Sequence, residues 1–163
     1  LELEKLESVC QQASGPEECV QVANLLCPGN IAISGHLSAL ERAEQMSLEA
    51  GAFSAIRLQV TGAFHTPLMQ SAVPQLEAAL TEVNFRPARV PVISNVDAAC
   101  HEEPDEFRNL LARQVVVPVR WEASLRTMID DLGCEQFVEI GSGRVLAGTL
   151  KRINRKIRCE SIG

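Results

Sequence analysis

Between Leu3 and Gly62 the spacing of apolar residues passes from the helical to the extended period and back, an order that limits the available folds more than any single motif. "LEKLESVCQQAS" places Leu3, Leu6, Val9 and Cys10 on one helical face, and "SGPEE" at 14–18 ends that helix. Two short extended runs follow, "CVQVANLLC" and "NIAISG", with Pro28-Gly29 supplying hairpin turn chemistry between them. "HLSALERAEQMSLEAG" predicts an amphipathic helix with Leu37, Leu40, Ala43 and Leu48 inward and Gly51 as its stop. "FSAIRLQVTG" alternates as a strand and completes an α-β-β-α-β order.

That order is the ferredoxin-like β-α-β-β-α-β unit without its first strand. Such a strand normally lies inside the sheet, and its loss would leave its neighbours with unpaired backbone groups. The expectation is a piece of a longer polypeptide, in keeping with a residue 1 that is leucine and already begins a helical pattern. From Pro67 the pattern changes. "PLMQSAVPQLEAALTEV" predicts a helix with proline in its first turn, "VPVISNV" a buried strand, and "EPDEFRNLLARQVV" and "WEASLRTMIDDLG" helices parted by Pro118. "EQFVEIGSGRVLAGTLKRI" reads as strand, glycine turn and helix, the layout of an α/β segment with a parallel sheet. The one division this pattern offers falls near residues 60–66.

The 163 residues suit one domain or two small ones, and 46% hydrophobic residues are ample for a core. Apolar stretches such as "VVVPV" at 115–119 fall far short of the roughly 20 residues of a membrane span, and "LELEKLES" lacks the order of a signal peptide. A formal net charge of -6 and a pI of about 5.1 argue against nucleic acid and anionic membranes as partners. Charge is uneven, because "KRINRKIR" gathers Lys151, Arg152, Arg155, Lys156 and Arg158. The segment reads either as a helix end with dipole-matched cations followed by a solvated strand, or as a dock for an acidic partner or a phosphate. Cysteines at 10, 19, 27, 100, 134 and 159 show no CxxC pair and no zinc-like spacing, which predicts no metal site and reduced thiols in a cytoplasmic setting.

Three histidines carry the remaining chemistry. His36, at a helix start, and His101, in the polar run "CHEEPDE", are expected to be solvated. His65 differs, standing in "GAFHTPLM" at a strand-to-helix junction, where α/β folds present functional groups. A histidine base needs a nucleophile, and no G-x-S-x-G occurs. "GSG" at 141–143 suits an exposed Ser142 or a phosphate cradle, and a cysteine paired with His65 would need a depressed pKa.

Taken together and in order, "GAFHTPLM", "VPVISNVDA", "LLARQVVVPVRWEASLRTM" and "FVEIGSGRVLAGTLKRI" resemble the C-terminal half of the malonyl-CoA:acyl-carrier-protein transacylase family, across essentially the whole chain. The resemblance implies an incomplete ferredoxin-like small subdomain over 1–62 and the C-terminal part of an α/β-hydrolase-like acyltransferase domain over 63–163. It makes His65 the general base for a catalytic serine, with Phe64 contacting the acyl group and favouring malonyl over methylmalonyl. Gln114 would orient the imidazole through its backbone carbonyl, the part a carboxylate plays in a Ser-His-Asp triad. Asn95 and Asp97 match an SNVD motif beside the site, Asn95 as a candidate substrate contact. Malonyl-CoA is then the substrate, acyl carrier protein the partner, and no cofactor is required. The departures are equally specific: the family's serine elbow, oxyanion segment and malonyl-binding arginine are absent from this sequence, Leu26 stands for Asn, Asn30 for Gln, and Ser142 for Pro. The expectation is a fragment that is inactive alone and completed by the missing N-terminal half. The alternative is a non-catalytic module that docks the carrier protein through 151–158.

Overall fold

The computed structural model describes residues 1–163. Helix α1 (Leu3–Ala13) and helix α2 (Leu37–Glu49) pack over an antiparallel hairpin of β1 (Val20–Cys27) and β2 (Asn30–Gly35), turned at Gly29 with φ 72°. Leu6, Val9, Cys10 and Ala13 recur at helical spacing and meet Val20 and Val22 of β1 and Ala39 and Ala43 of α2 in one core. Small residues make the helix contact: Ala13, Ala39 and Ala43 have no exposed surface, so the two backbones approach closely. Leu37 and Leu48, expected inward, are 78% and 46% exposed, because the buried stripe of α2 is Ala39, Ala43 and Ser47.

The strand expected at 53–62 does not form. A strand needs a ladder partner, and here the polar side is bound instead: Arg57 reaches Glu44 at 2.7 Å and Glu41 at 3.4 Å on α2. Phe53, Ile56, Leu58 and Val60 are exposed. The predicted helix from Pro67 is divided. Thr66 accepts from the Leu68 N–H to open a 3-10 turn over Pro67–Ala72, and Pro74, which has no N–H to donate, starts α3 (Val73–Thr81).

"VPVISNV" gives only a two-residue strand β3 (Val92–Ile93), paired antiparallel with β4 (Cys100–His101). Val90 and Val92 remain exposed while Val96 is buried, so the expected buried strand is confined to its last apolar residue. Helix α4 (Pro104–Arg113) packs on α3 around Val73, Leu80 and Ala112. Helix α5 (Trp121–Arg126) runs on as a wider turn over Thr127–Asp131, and the Trp121 Nε1–H donates to Thr149 Oγ1 at 2.8 Å. Thr149 lies on α6 (Val145–Ile153), which joins the parallel pair β5 (Gln136–Ile140) and β6 (Arg158–Ile162). The architecture is α/β with three two-stranded sheets. No helix is long and apolar enough to cross a membrane.

Candidate active site

Residues 114–120 have neither a helix nor a ladder of their own, yet they connect most of the functional candidates. At one end the Gln114 carbonyl accepts the His65 Nδ1–H at 2.7 Å, and the Val115 carbonyl accepts the His65 backbone N–H at 2.9 Å. At the other end Val119 exchanges bonds with Ala23 and Leu25 of β1, each at 2.9 Å, and the Arg120 N–H donates to the Asn95 carbonyl at 2.9 Å. A carbonyl oxygen can only accept, so Nδ1 carries the proton and Nε2 is left with a lone pair. The chemistry available is proton abstraction by Nε2 from a hydroxyl or thiol brought within reach.

His65 holds this place in a left-handed backbone conformation, φ 63°, which costs a residue other than glycine roughly 1 kcal/mol or more. The buried Thr66 closes the turn around it by donating its hydroxyl to the Ala63 carbonyl at 2.6 Å. Phe64, the residue before His65, is half exposed and lies against Gly62, where an added Cβ would stand 3.1 Å from the ring. Asn95 is reached only through the 114–120 segment and Phe64 by chain adjacency, while Gln114 and His65 are in direct contact.

Asp97 has other duties. Burial works to raise its pKa, but the Ala99 N–H and the His101 ring outweigh burial and hold the carboxyl below its ordinary range. His101, expected to be solvated, is only 13% exposed: Nε2 lies 3.2 Å from Asp97, and Nδ1 lies 3.3 Å from Glu106 as a charge contact without hydrogen-bond geometry. His36 Nδ1 accepts from the Cys19 N–H at 3.0 Å, so it serves the turn before α2.

Neither reading of "GSG" survives. Ser142 is exposed in the turn before α6, with no hydrogen bond to a base. The helix start is already filled by Glu139, whose two carboxylate oxygens accept from the Leu146 and Ala147 N–H groups at 3.0 Å, with Ser161 nearby at 3.4 Å. Those backbone donors, Ala147 first, hold the Glu139 pKa below its ordinary value. Two of the thiols are moved away from activation: burial, helped by Glu7, pushes Cys10 up to about 11, and burial raises Cys27. All six cysteines are unpaired, and no cluster of three or more histidine, cysteine or acidic side chains could hold a metal ion. A groove of about 580 Å³ between α3 and α4, lined by residues such as Gln70, Glu77 and Arg113, does not include His65.

The malonyl CoA-acyl carrier protein transacylase of Bacillus subtilis is 39% identical over 162 residues, which is 99% of this chain and 51% of the relative. The protein of the same description from Staphylococcus aureus is 31% identical over the same length. The chain is homologous to the C-terminal half of malonyl-CoA:acyl-carrier-protein transacylases. Solved transacylase structures agree: that of Coxiella burnetii superposes with a TM-score of 0.94 at 36% identity, covering 99% of this chain and 51% of that one. A type II PKS acyl-carrier protein in complex with its malonyl-transacylase matches with the same TM-score at 33% identity. The chain thus spans about half the length of the transacylases it matches. No family model matches it.

Two features of the site had no motif to announce them. Gln21 donates from Nε2 to the His65 carbonyl at 3.2 Å, and its one sequence signal is a polar residue between Val20 and Val22 in an alternating run. Glu139 was legible only as part of "FVEIGSG" and not as the acceptor of helix amides.

Proposed function

We propose that this chain is the histidine-bearing half of a malonyl-CoA:acyl-carrier-protein transacylase of fatty acid biosynthesis, an acyltransferase acting in the cytoplasm. The supporting observation is the 2.7 Å bond from His65 Nδ1 to the Gln114 carbonyl, which leaves Nε2 as the base. In this reading Nε2 takes the proton of a serine hydroxyl as its oxygen attacks the thioester carbonyl of malonyl-CoA. The imidazolium then returns that proton to the departing CoA sulfur. The carrier-protein thiol next attacks the malonyl-serine ester, giving its proton to Nε2, and the serine oxygen leaves with it. No cofactor takes part. Gln114 orients the ring, Phe64 meets the malonyl group, and Asn95 stands beside the substrate.

The fold is read to match: 1–62 as the remainder of a ferredoxin-like subdomain and 63–163 as the C-terminal part of an α/β-hydrolase-like acyltransferase domain. The serine and the group that pairs with the malonyl carboxylate belong to the other half of such a protein. On this reading the chain alone forms no acyl-enzyme. Six unpaired thiols suit a reducing compartment.

A second reading, a non-catalytic module that docks the carrier protein, draws on the exposure of Lys151, Arg152, Arg155, Lys156 and Arg158. One experiment separates the two. The chain is mixed with the serine-bearing half of the Bacillus subtilis transacylase, malonyl-CoA is added, and intact mass is followed. The transacylase reading expects a malonyl adduct on the serine-bearing half, formed roughly 10²–10⁴-fold more slowly with His65→Gln. Absence of an adduct from a mixture that forms a complex, with carrier protein still bound by the chain, would leave the docking module.

A further inference from the structure

We infer that Gln21, on β1, is the positioning residue that keeps His65 in the conformation a base requires. The left-handed backbone at His65 is costly and needs outside support. Its N–H is held by the Val115 carbonyl and its ring by the Gln114 carbonyl, but neither contact restrains the peptide that follows. That peptide's oxygen, the His65 carbonyl, accepts from Gln21 Nε2 at 3.2 Å.

Strand alternation explains why Gln21 is available for this. Val20 and Val22 are buried in the core with α1 and α2, so the residue between them must face the other way. The strand is itself fixed to the site, because Ala23 and Leu25 bond Val119, five residues beyond the Gln114 that receives the imidazole. Gln21, His65 and the 114–120 segment thereby close a ring of contacts in which every member restrains the next. Without the Gln21 donor, the His65 carbonyl can rotate toward the common extended conformation, and the ring then swings away from Gln114. A neutral imidazole freed from that acceptor prefers its proton on Nε2, the atom that must be bare to act as a base.

The inference rests on the reading of His65 as a base, but its test needs no acyl transfer. Gln21→Met keeps length and bulk and removes the donor. Long-range ¹H–¹⁵N spectra of the full chain, labelled at histidine and recorded at about pH 8, report which nitrogen carries the proton. The His65 signals are assigned by their absence from His65→Gln. We expect the wild-type ring to be protonated on Nδ1, and Gln21→Met to shift the tautomer ratio roughly five- to tenfold toward Nε2–H, with matching faster exchange of the His65 amide. Gln21→Asn, one methylene too short, gives the same shift, while the rings of His36 and His101 do not change. An unaltered His65 tautomer ratio in the folded fraction of both variants overturns the proposal, whatever happens to the urea midpoint. A shifted ratio together with failed malonyl transfer in the wild-type mixture would count against the transacylase reading alone.

Discussion

Glu139 does for α6 what a capping side chain does from within a helix, but from a neighbouring strand. Its carboxylate satisfies the Leu146 and Ala147 amides, and the helix start favours the negative charge. A carboxyl whose folded pKa lies below its unfolded one adds stability that is complete above the unfolded value and is lost as pH falls through the folded one. Thermal melts followed by circular dichroism between about pH 6 and pH 3 should therefore show a steep acid limb in the wild type. Glu139→Gln should melt lower at pH 6 and lose much of that limb. The bond from His65 to Gln114 is of the same residue scale, and the resemblance carried by "GAFHTPLM" and "LLARQVVVPV" announced both partners. No motif announced the bonds of Gln21 to the His65 carbonyl or of Glu139 to the Leu146 amide. Such bonds depend on where the main chain passes, which residue types do not encode.

Among the elements, α2 separates what periodicity determines from what packing does. The pattern specified a helix ending near Gly51, and the helix runs to Glu49. It also placed Leu37, Leu40, Ala43 and Leu48 inward; Ala43 is fully buried and Leu40 packs on the core, while Leu37 and Leu48 are exposed and the close approach of α1 gives the rest of the stripe to Ala39 and Ser47. Replacing Ala43 by leucine should therefore cost about 1–3 kcal/mol through overpacking. Leu37→Ala should stay within about 0.5 kcal/mol of wild type, and urea unfolding measures both. Residues 53–60 show the converse limit. Alternation predicted a strand with two faces, but residues 56–60 are exposed on both, and the segment's side-chain ties to α2 run from Arg57 to Glu41 and Glu44. Strand identity depends on a neighbour, and for this segment the chain supplies none.

For the whole molecule, apolar surface is left over. Ile56, Leu58 and Val60 along one segment, and Val138, Ile140 and Ile162 on the parallel pair, are all more than half exposed. Exposed apolar segments of this kind favour association. The isolated chain should self-associate with rising concentration in sedimentation velocity, and Leu58→Lys should reduce the associated fraction. The resemblance to transacylases was legible in the motifs that lie in order from Gly62 to Ile153. The layering was not, because two-residue strands such as β3 leave almost no pattern to read. The stretch from Gln114 to Arg120 looks like an ordinary connection, tolerant of change. Its main-chain groups meet His65 at one end and β1 and Asn95 at the other, so it works as a reading frame. Side chains along it, such as Val116 and Val117, can be exchanged for others of similar size. One inserted or deleted residue would slip every contact out of phase, and the chain could then keep all its functional residues and lose their arrangement.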